Sequence, residues 1–216
     1  MRSFVRPDGR RFVRDPDEQS LAGIAEAIYL TVDEADVDAY LALGFSVHRR
    51  EGTYVVPTGA TRVVPPSGIA LVDADGVDEE RLRLLDDELR QDVPGSDGWR
   101  WAEAGFREET YESPQFDPTT YLVAVDEASG ELVGIVRVWM RQPIPRLGFI
   151  GVRRDLRQRG IARALLGEVF SHLRDRGIAE VTTEIDETNV ASRALLEGLG
   201  ARRKGTSVEL VRHPGG

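Results

Sequence analysis

From residue 68 onward, apolar and polar positions alternate regularly enough to lay out the elements of a fold. "GIALVDA" reads as a strand, and "EERLRLLDDELRQD" sets Leu82, Leu85 and Leu89 on one helical face. "FREETYES" reads as a short helix. "TYLVAVDEASGELVGIVRVWM" reads as two apolar strands around a Ser-Gly turn, and "RLGFIGV" as a further strand. Over 160–176, Ile161, Leu165, Val169 and Leu173 recur every fourth residue, with Ala162, Leu166 and Phe170 beside them, and Gly177 ends the helix. "AEVTTEID" predicts a strand and "NVASRALLEGLG" a short helix. "RRKGTSVELVRH" predicts a hairpin-like pair of strands, and "PGG" a tail. The order predicts an α+β fold, a mixed sheet flanked by helices.

The turn-forming stretch "TGATRVVPPSG" before this pattern predicts a linker, centred on 61–67, between residues 1–60 and a domain over 68–213. No apolar run approaches the ~18 residues of a membrane-spanning helix. The basic N-terminus has no apolar block behind it, as a secretory signal would. Cysteine is absent, which removes thiolate chemistry and cysteine metal sites, and His48, His172 and His213 are too scattered for a metal site. A net charge of −9 argues against nucleic acid as a partner. Lys204 is the only lysine, so Schiff-base chemistry is confined to that position.

The chemistry concentrates in "RQRGIA", residues 157–162, between an apolar strand and the long helix. A helix N-terminus offers unpaired N–H groups and about half a positive charge. Gly160 clears the place where a phosphate would meet the backbone, Ala162 keeps the next inward position small, and Arg157, Arg159 and Arg163 add charge. The stretch fits a pyrophosphate cradle, although neither GxxxxGK[ST] nor GxGxxG is present. A glycine-started helix with solvated arginines is the alternative.

"VRRDLRQRGIARALL" resembles the acetyl-CoA loop of the GNAT superfamily of N-acyltransferases, Gln/Arg-x-x-Gly-x-Gly/Ala, and its strand–loop–helix setting matches as well. "NVASRALLEGLGA" is similar to that family's second motif. The resemblance implies a GNAT fold over 68–213 with a mixed, mostly antiparallel sheet, and acetyl-CoA as co-substrate. It implies that the backbone of Ile150, Gly151 and Val152 pairs with the pantetheine arm. It also implies that the amides of Arg157, Gln158, Arg159, Gly160, Ile161, Ala162 and Arg163 hold the pyrophosphate. Asn189 is expected at the pantetheine or the departing thiol.

Two departures stand out. The tyrosine that the second motif places to protonate the thiolate is Leu196, and the motif's closing aromatic is Ala201. Some GNAT members carry a glutamate early in the strand before the loop, where this chain has Arg146, Leu147 and Gly148. Glu184, on the neighbouring strand, is the candidate base, set against an exposed strand residue. "LTVDEADVDAYLALGFSVHRREGTYVVPT" parallels "TEIDETNVASRALLEGLGARRKGTSVELVR", Val32-Asp33-Glu34 against Ile185-Asp186-Glu187. Residues 1–60 therefore resemble a small α/β GNAT half-repeat that has no cofactor loop. Its Tyr40 is the candidate acid.

The acceptor side is expected in residues 91–113, where Trp99, Trp101, Phe106 and Tyr111 lie among Asp92, Asp97, Glu103, Glu108, Glu109 and Glu112. Trp99, Trp101, Glu108 and Tyr111 are the candidate contacts for an amine on an apolar or cationic body; tryptophans in a core beside solvated acids are the alternative. Trp139 reads as core. The resemblance implies transfer of acetyl from acetyl-CoA to a primary amine, of a small molecule or, as a close variant, of a protein N-terminus or lysine. The absent targeting signals and the cofactor point to the cytoplasm, and neither a metal nor a membrane partner is expected. A non-catalytic acyl-CoA sensor is the contrasting function. A homodimer through the C-terminal strands is a further expectation.

Overall fold

The computed structural model describes residues 1–59, 63–96 and 98–214. Residues 61–62 of the expected linker, the acidic residue Asp97 and the last two glycines lie outside the described residues. In chain order the elements are β1 (Arg2–Val5), β2 (Arg11–Arg14), α1 (Glu18–Leu21), β3 (Ile28–Asp33), α2 (Val37–Leu41) and β4 (Ser46–Pro57). There follow β5 (Ile69–Asp73), α3 (Glu79–Arg90), α4 (Glu103–Glu109), β6 (Tyr121–Asp126), β7 (Leu132–Trp139) and β8 (Arg146–Val152). The series closes with α5 (Ile161–Asp175), β9 (Glu180–Asp186), α6 (Val190–Glu197) and β10 (Arg202–Arg212).

Two compact units divide the chain. The first is Met1–Tyr54 with Glu184–Asn189 and Arg203–Gly216, and the second is Val55–Thr183 with Val190–Arg202.

In the first unit the strands run in the order β1-β2-β3-β10-β4. β10 pairs antiparallel with β3 from Ser207↔Asp33 to Arg212↔Ile28, so it lies between the two strands of the N-terminal β-α-β segment. Val13, Ile28, Leu30, Val37, Phe45, Val208 and Leu210 form the core of this unit. Residues 203–213 therefore share a core with the N-terminal segment, rather than closing the domain expected over 68–213. The expected hairpin is one strand of eleven residues. Pairing with β3 on one side and β4 on the other takes up its backbone groups without a turn. β10 is covered by β3 over Ser207–Arg212, and β4 lies on its other side.

In the second unit the order is β9-β8-β7-β6-β5, antiparallel from β5 to β8 and parallel between β8 and β9. Strand alternation gives the sheet two dressed faces. On one, Tyr121, Val123, Ile135 and Phe149 pack with Leu82, Leu85 and Leu89 of α3 and with Phe106 of α4. On the other, Gly134 faces α5, where a Cβ would lie 3.4 Å from Leu165. Ile161, Leu165, Leu166, Val169, Phe170 and Leu173 of α5 are buried as its periodicity predicts. Each such side chain contributes about 1.5–3 kcal/mol, which anchors the helix whose first turn forms the candidate site. α4 starts at Glu103, three residues before the sequence pattern places it. No helix among the described residues is long and apolar enough to cross a membrane.

Candidate active site

β8 joins β9 at its first residues. The register is Arg146↔Thr182, supported by Thr182 N to the Pro145 carbonyl (2.9 Å) and Thr183 Oγ1 to the Leu147 carbonyl (2.9 Å). Arg146↔Thr182 is the register pair described between the two strands. Arg153 N donates to the Val133 carbonyl (2.9 Å) on the other side, which fixes the phase of the antiparallel ladder with β7. Alternation then turns the N–H and C=O of Ile150 and Val152 toward the open side and those of Gly151 toward β7. Gly151 has its own reason to be glycine: a Cβ there would lie 3.1 Å from Leu89 and 3.2 Å from Phe149. The open edge can pair with an extended amide-bearing chain through Ile150 and Val152.

Beyond Val152 the chain makes one 3-10 turn over Arg154–Leu156 and reaches α5 through Arg157–Gly160. Gln158 has φ +61° and Gly160 φ +90°, two left-handed positions separated by one residue. Alternation of this kind makes a nest of converging N–H groups. Gln158, a non-glycine held there, is a conformational cost of the sort that clusters at functional sites. Arg157 N is spent on the Arg154 carbonyl (3.4 Å). The N–H groups of Gln158, Arg159, Gly160, Ile161, Ala162 and Arg163 meet no acceptor among the described residues, and Gly160 supplies no side-chain cap. No protein atom lies within 4 Å of where a Gly160 Cβ would be. Six free donors, the positive end of a fifteen-residue helix and clear space above a glycine fit a diphosphate. The residues present thus suit the co-substrate expected from the sequence.

The arginines are deployed unequally. The Arg157 guanidinium turns back: Nε donates to the Val152 carbonyl (2.9 Å) and Nη2 to Asp92. Asp92, just past α3, also accepts from Arg154 Nε at 2.9 and 3.0 Å. Hydrogen bonds from Arg154, then Arg157, hold the Asp92 carboxyl below the usual carboxylate range against its partial desolvation. Arg159 reaches only the Asp155 carbonyl (3.3 Å), and Arg163 is exposed beside Gly198. Arg159 and Arg163 thus leave their guanidinium groups at the surface near the first turn of α5.

The expected acceptor residues fall into different classes. Trp101 is core: Nε1 donates to Asp86 (2.7 Å) and the backbone N–H to Asp87 (2.8 Å), and its ring lies 4.6 Å from Trp99 and 5.7 Å from Phe106. The reading of Trp101 as a ligand contact is corrected by this burial. Glu108 is exposed on α4, while Trp99 and Tyr111 are half-buried. Burial, with Glu79 and Asp75 nearby, pushes the Tyr111 phenol up to about 12, and its hydroxyl reaches the Ala74 carbonyl (3.3 Å). It is a neutral phenol near pH 7. Buried Asp86 and Asp87 escaped the sequence pattern because acids on a helix read as its wet face. The signal was the arginine one turn away from each: Arg90 from Asp86, and Arg83, on the other side, from Asp87.

The remaining candidates lie in the first unit. Glu184 sits on β9 on the side opposite buried Val181, Thr183 and Ile185. Asn189 N donates to the Asp186 carbonyl (2.9 Å) just ahead of α6. Tyr40 packs on its own unit's core, edge-on to Phe45 at 6.2 Å. In the second unit Leu196 is buried in α6. No cluster of three or more His, Cys, Asp or Glu among the described residues could hold a metal ion.

Comparison with known proteins agrees with this geometry. The model of the acetyltransferase (GNAT) family matches residues 83–201, more than half of the chain. A mycothiol acetyltransferase of Thermobispora bispora is 31% identical over 177 residues, covering 76% of this chain and 58% of that protein. One from Salinispora arenicola is 34% identical over 154 residues, covering 68% and 49%. The chain thus spans about half the length of the curated relatives it matches. Among solved structures, a GCN5-related N-acetyltransferase from Sphaerobacter thermophilus aligns with a TM-score of 0.69 at 25% identity, covering 86% of this chain and 59% of that one. A tandem GNAT protein from the clavulanic acid biosynthesis pathway shares the fold, with a TM-score of 0.66 at 17% identity over 88% of this chain and 65% of that one. The chain belongs to the acetyltransferase (GNAT) family.

Proposed function

We propose that the protein is an acetyl-CoA-dependent N-acetyltransferase that moves the acetyl group directly to a primary amine of a small molecule. The observation that carries this reading is the set of six unaccepted N–H groups from Gln158 to Arg163, continuous with the open backbone edge of Ile150 and Val152. Acetyl-CoA supplies the activated acyl group. The chain's own part is to seat the diphosphate on the nest, align the pantetheine arm along β8, and hold the reacting amine still. Such orientation can supply a large part of the rate in a direct transfer.

In this reading Glu184 receives the amine's proton, Tyr40 returns one to the thiolate, and Asn189 orients the departing thiol. Trp99 and Tyr111 flank the acceptor. Glu184→Gln and Tyr40→Phe test the proton roles, each expected to lower kcat ~10²–10⁴-fold. Unchanged turnover in either would remove that residue from the scheme.

The test of the whole reading is thiol release from acetyl-CoA across a panel of primary amines, with mass detection of the acetylated product. The name carried by its relatives puts an amine of the mycothiol type in that panel. A second reading, an acyl-CoA sensor without turnover, rests on the buried Leu196 where the family motif has its tyrosine. Tight binding with no thiol release for any amine would favour it.

A further inference from the structure

Arg137 lies in the middle of the second unit's sheet, on β7, with 2% of its surface exposed. One arm of its guanidinium, Nη2, donates to the Glu109 carbonyl at the end of α4. The other, Nη1, is buried without a hydrogen-bond partner. Directly across the strand pair stands Tyr121, 1% exposed, whose hydroxyl is also buried and unpartnered. Two buried donors are thus left unused on residues paired across the strands.

The charges around them do not balance. Asp86 is the carboxylate that acts on both groups, but it is committed to Arg90 and to Trp101 Nε1. Asp87 is committed to Arg83. Arg137 makes no ion pair among the described residues; its guanidinium lies 4.8 Å from the Trp139 ring centroid and 5.4 Å from that of Tyr121. Ring faces ease burial of a cation but do not replace a counter-charge. Burial accordingly lowers the Arg137 pKa and raises that of Tyr121.

The position is suited to the acceptor. Arg137 is in register with Phe149, one residue before the open edge at Ile150. Its side chain lies with Tyr121 on the sheet face opposite α5, whose first turn forms the nest. We propose that Arg137 Nη1 and Tyr121 Oη are the seat for a carboxylate on the acceptor, which makes the substrate an amino acid or an amino-acid conjugate bearing a free carboxylate. The inference rests on the acetyltransferase reading and narrows its substrate class. A carboxylate takes both unused donors at once and supplies the missing negative charge. A polyamine, a cation without a carboxylate, does neither.

Matched acceptors test this: amino acids against their carboxamides and against the amines that lack the carboxylate altogether. The wild type is expected to favour the carboxylates at least tenfold in kcat/KM, and Tyr121→Phe, which removes only the hydroxyl, to lose most of that preference. Equal rates for acids and amides would overturn the proposal. Absence of turnover with every amine would count against the acetyltransferase reading instead. The seat is then read without turnover, by thermal-shift titration of N-acetylglycine against N-acetylglycinamide. Stabilisation by the acid alone, lost in Tyr121→Phe, supports the seat; equal effects of acid and amide, or none from either, contradict it.

Discussion

The Arg157 guanidinium bridges the Val152 carbonyl, 2.9 Å from its Nε, and the Asp92 carboxylate. Val152 has one of the two carbonyls that the open edge of β8 presents, and Asp92 begins the loop toward Trp99. One arginine therefore ties the end of β8 to the loop that follows α3. The pairs are largely exposed on their arginine side, and such pairs contribute only about 0–1 kcal/mol each. A diphosphate arriving at the nest carries more charge than Asp92 and can draw Arg157 away from it.

Asp92→Asn weakens that competitor and should tighten acetyl-CoA binding by about two- to fivefold, the range a ~1 kcal/mol pair allows. Titration calorimetry at low and moderate salt measures it. Weaker binding in the variant would mean that Asp92 positions Arg157 for the ligand instead of competing for it.

Gly160→Ala separates backbone from ligand. At φ +90° an alanine costs about 1–2 kcal/mol, visible in denaturant unfolding. Nothing in the protein stands within 4 Å of the added methyl. A loss of affinity at temperatures where the variant remains folded therefore arises from the φ change or from the ligand itself. Full affinity would show that the clear space over Gly160 is not used.

Tyr111 predicts a slope at alkaline pH. Its phenol ionises near 10 when unfolded and near 12 when folded. The neutral form is thus favoured by folding, and its contribution is complete below about pH 10 and lost as pH rises through about 12. Tyr111→Phe should flatten stability against pH across that window. An unchanged slope would place the loss elsewhere.

Asp86→Ala removes a fully buried carboxylate from Arg90 and from Trp101 Nε1. Removing one partner of a buried pair costs about 3–5 kcal/mol. Trp101→Phe keeps Asp86 and Arg90 together and should cost less, although it leaves Asp86 one donor short. Chemical denaturation of both variants tests the order; a larger loss for Trp101→Phe would show that the tryptophan's packing dominates.

The second unit was legible because its elements announce themselves locally. The four-residue recurrence from Ile161 to Leu173 and the Ser-Gly turn at 129–130 need no distant partner to be read. The site's loop was legible for the same reason, since Gly160 and the following helix start are adjacent in sequence. What escaped was non-local. β10 looked like a hairpin because Gly205 reads as a turn in isolation, and only β3, far back in the chain, shows that it is a straight strand. Trp101 read as a binding residue because its partners, Asp86 and Asp87, look like surface acids until the helix is packed. The unbalanced Arg137 is invisible in sequence, where an arginine in "GIVRVWM" is one more basic residue.

The most direct test of the central claim is calorimetric titration of acetyl-CoA into the wild-type protein and into Gly160→Asp, which sets an anion in the nest. Micromolar binding by the wild type, lost in a variant that still unfolds cooperatively, is the predicted result. Equal binding by both proteins, or none by the wild type, would contradict the assignment of residues 158–163 as the acetyl-CoA site.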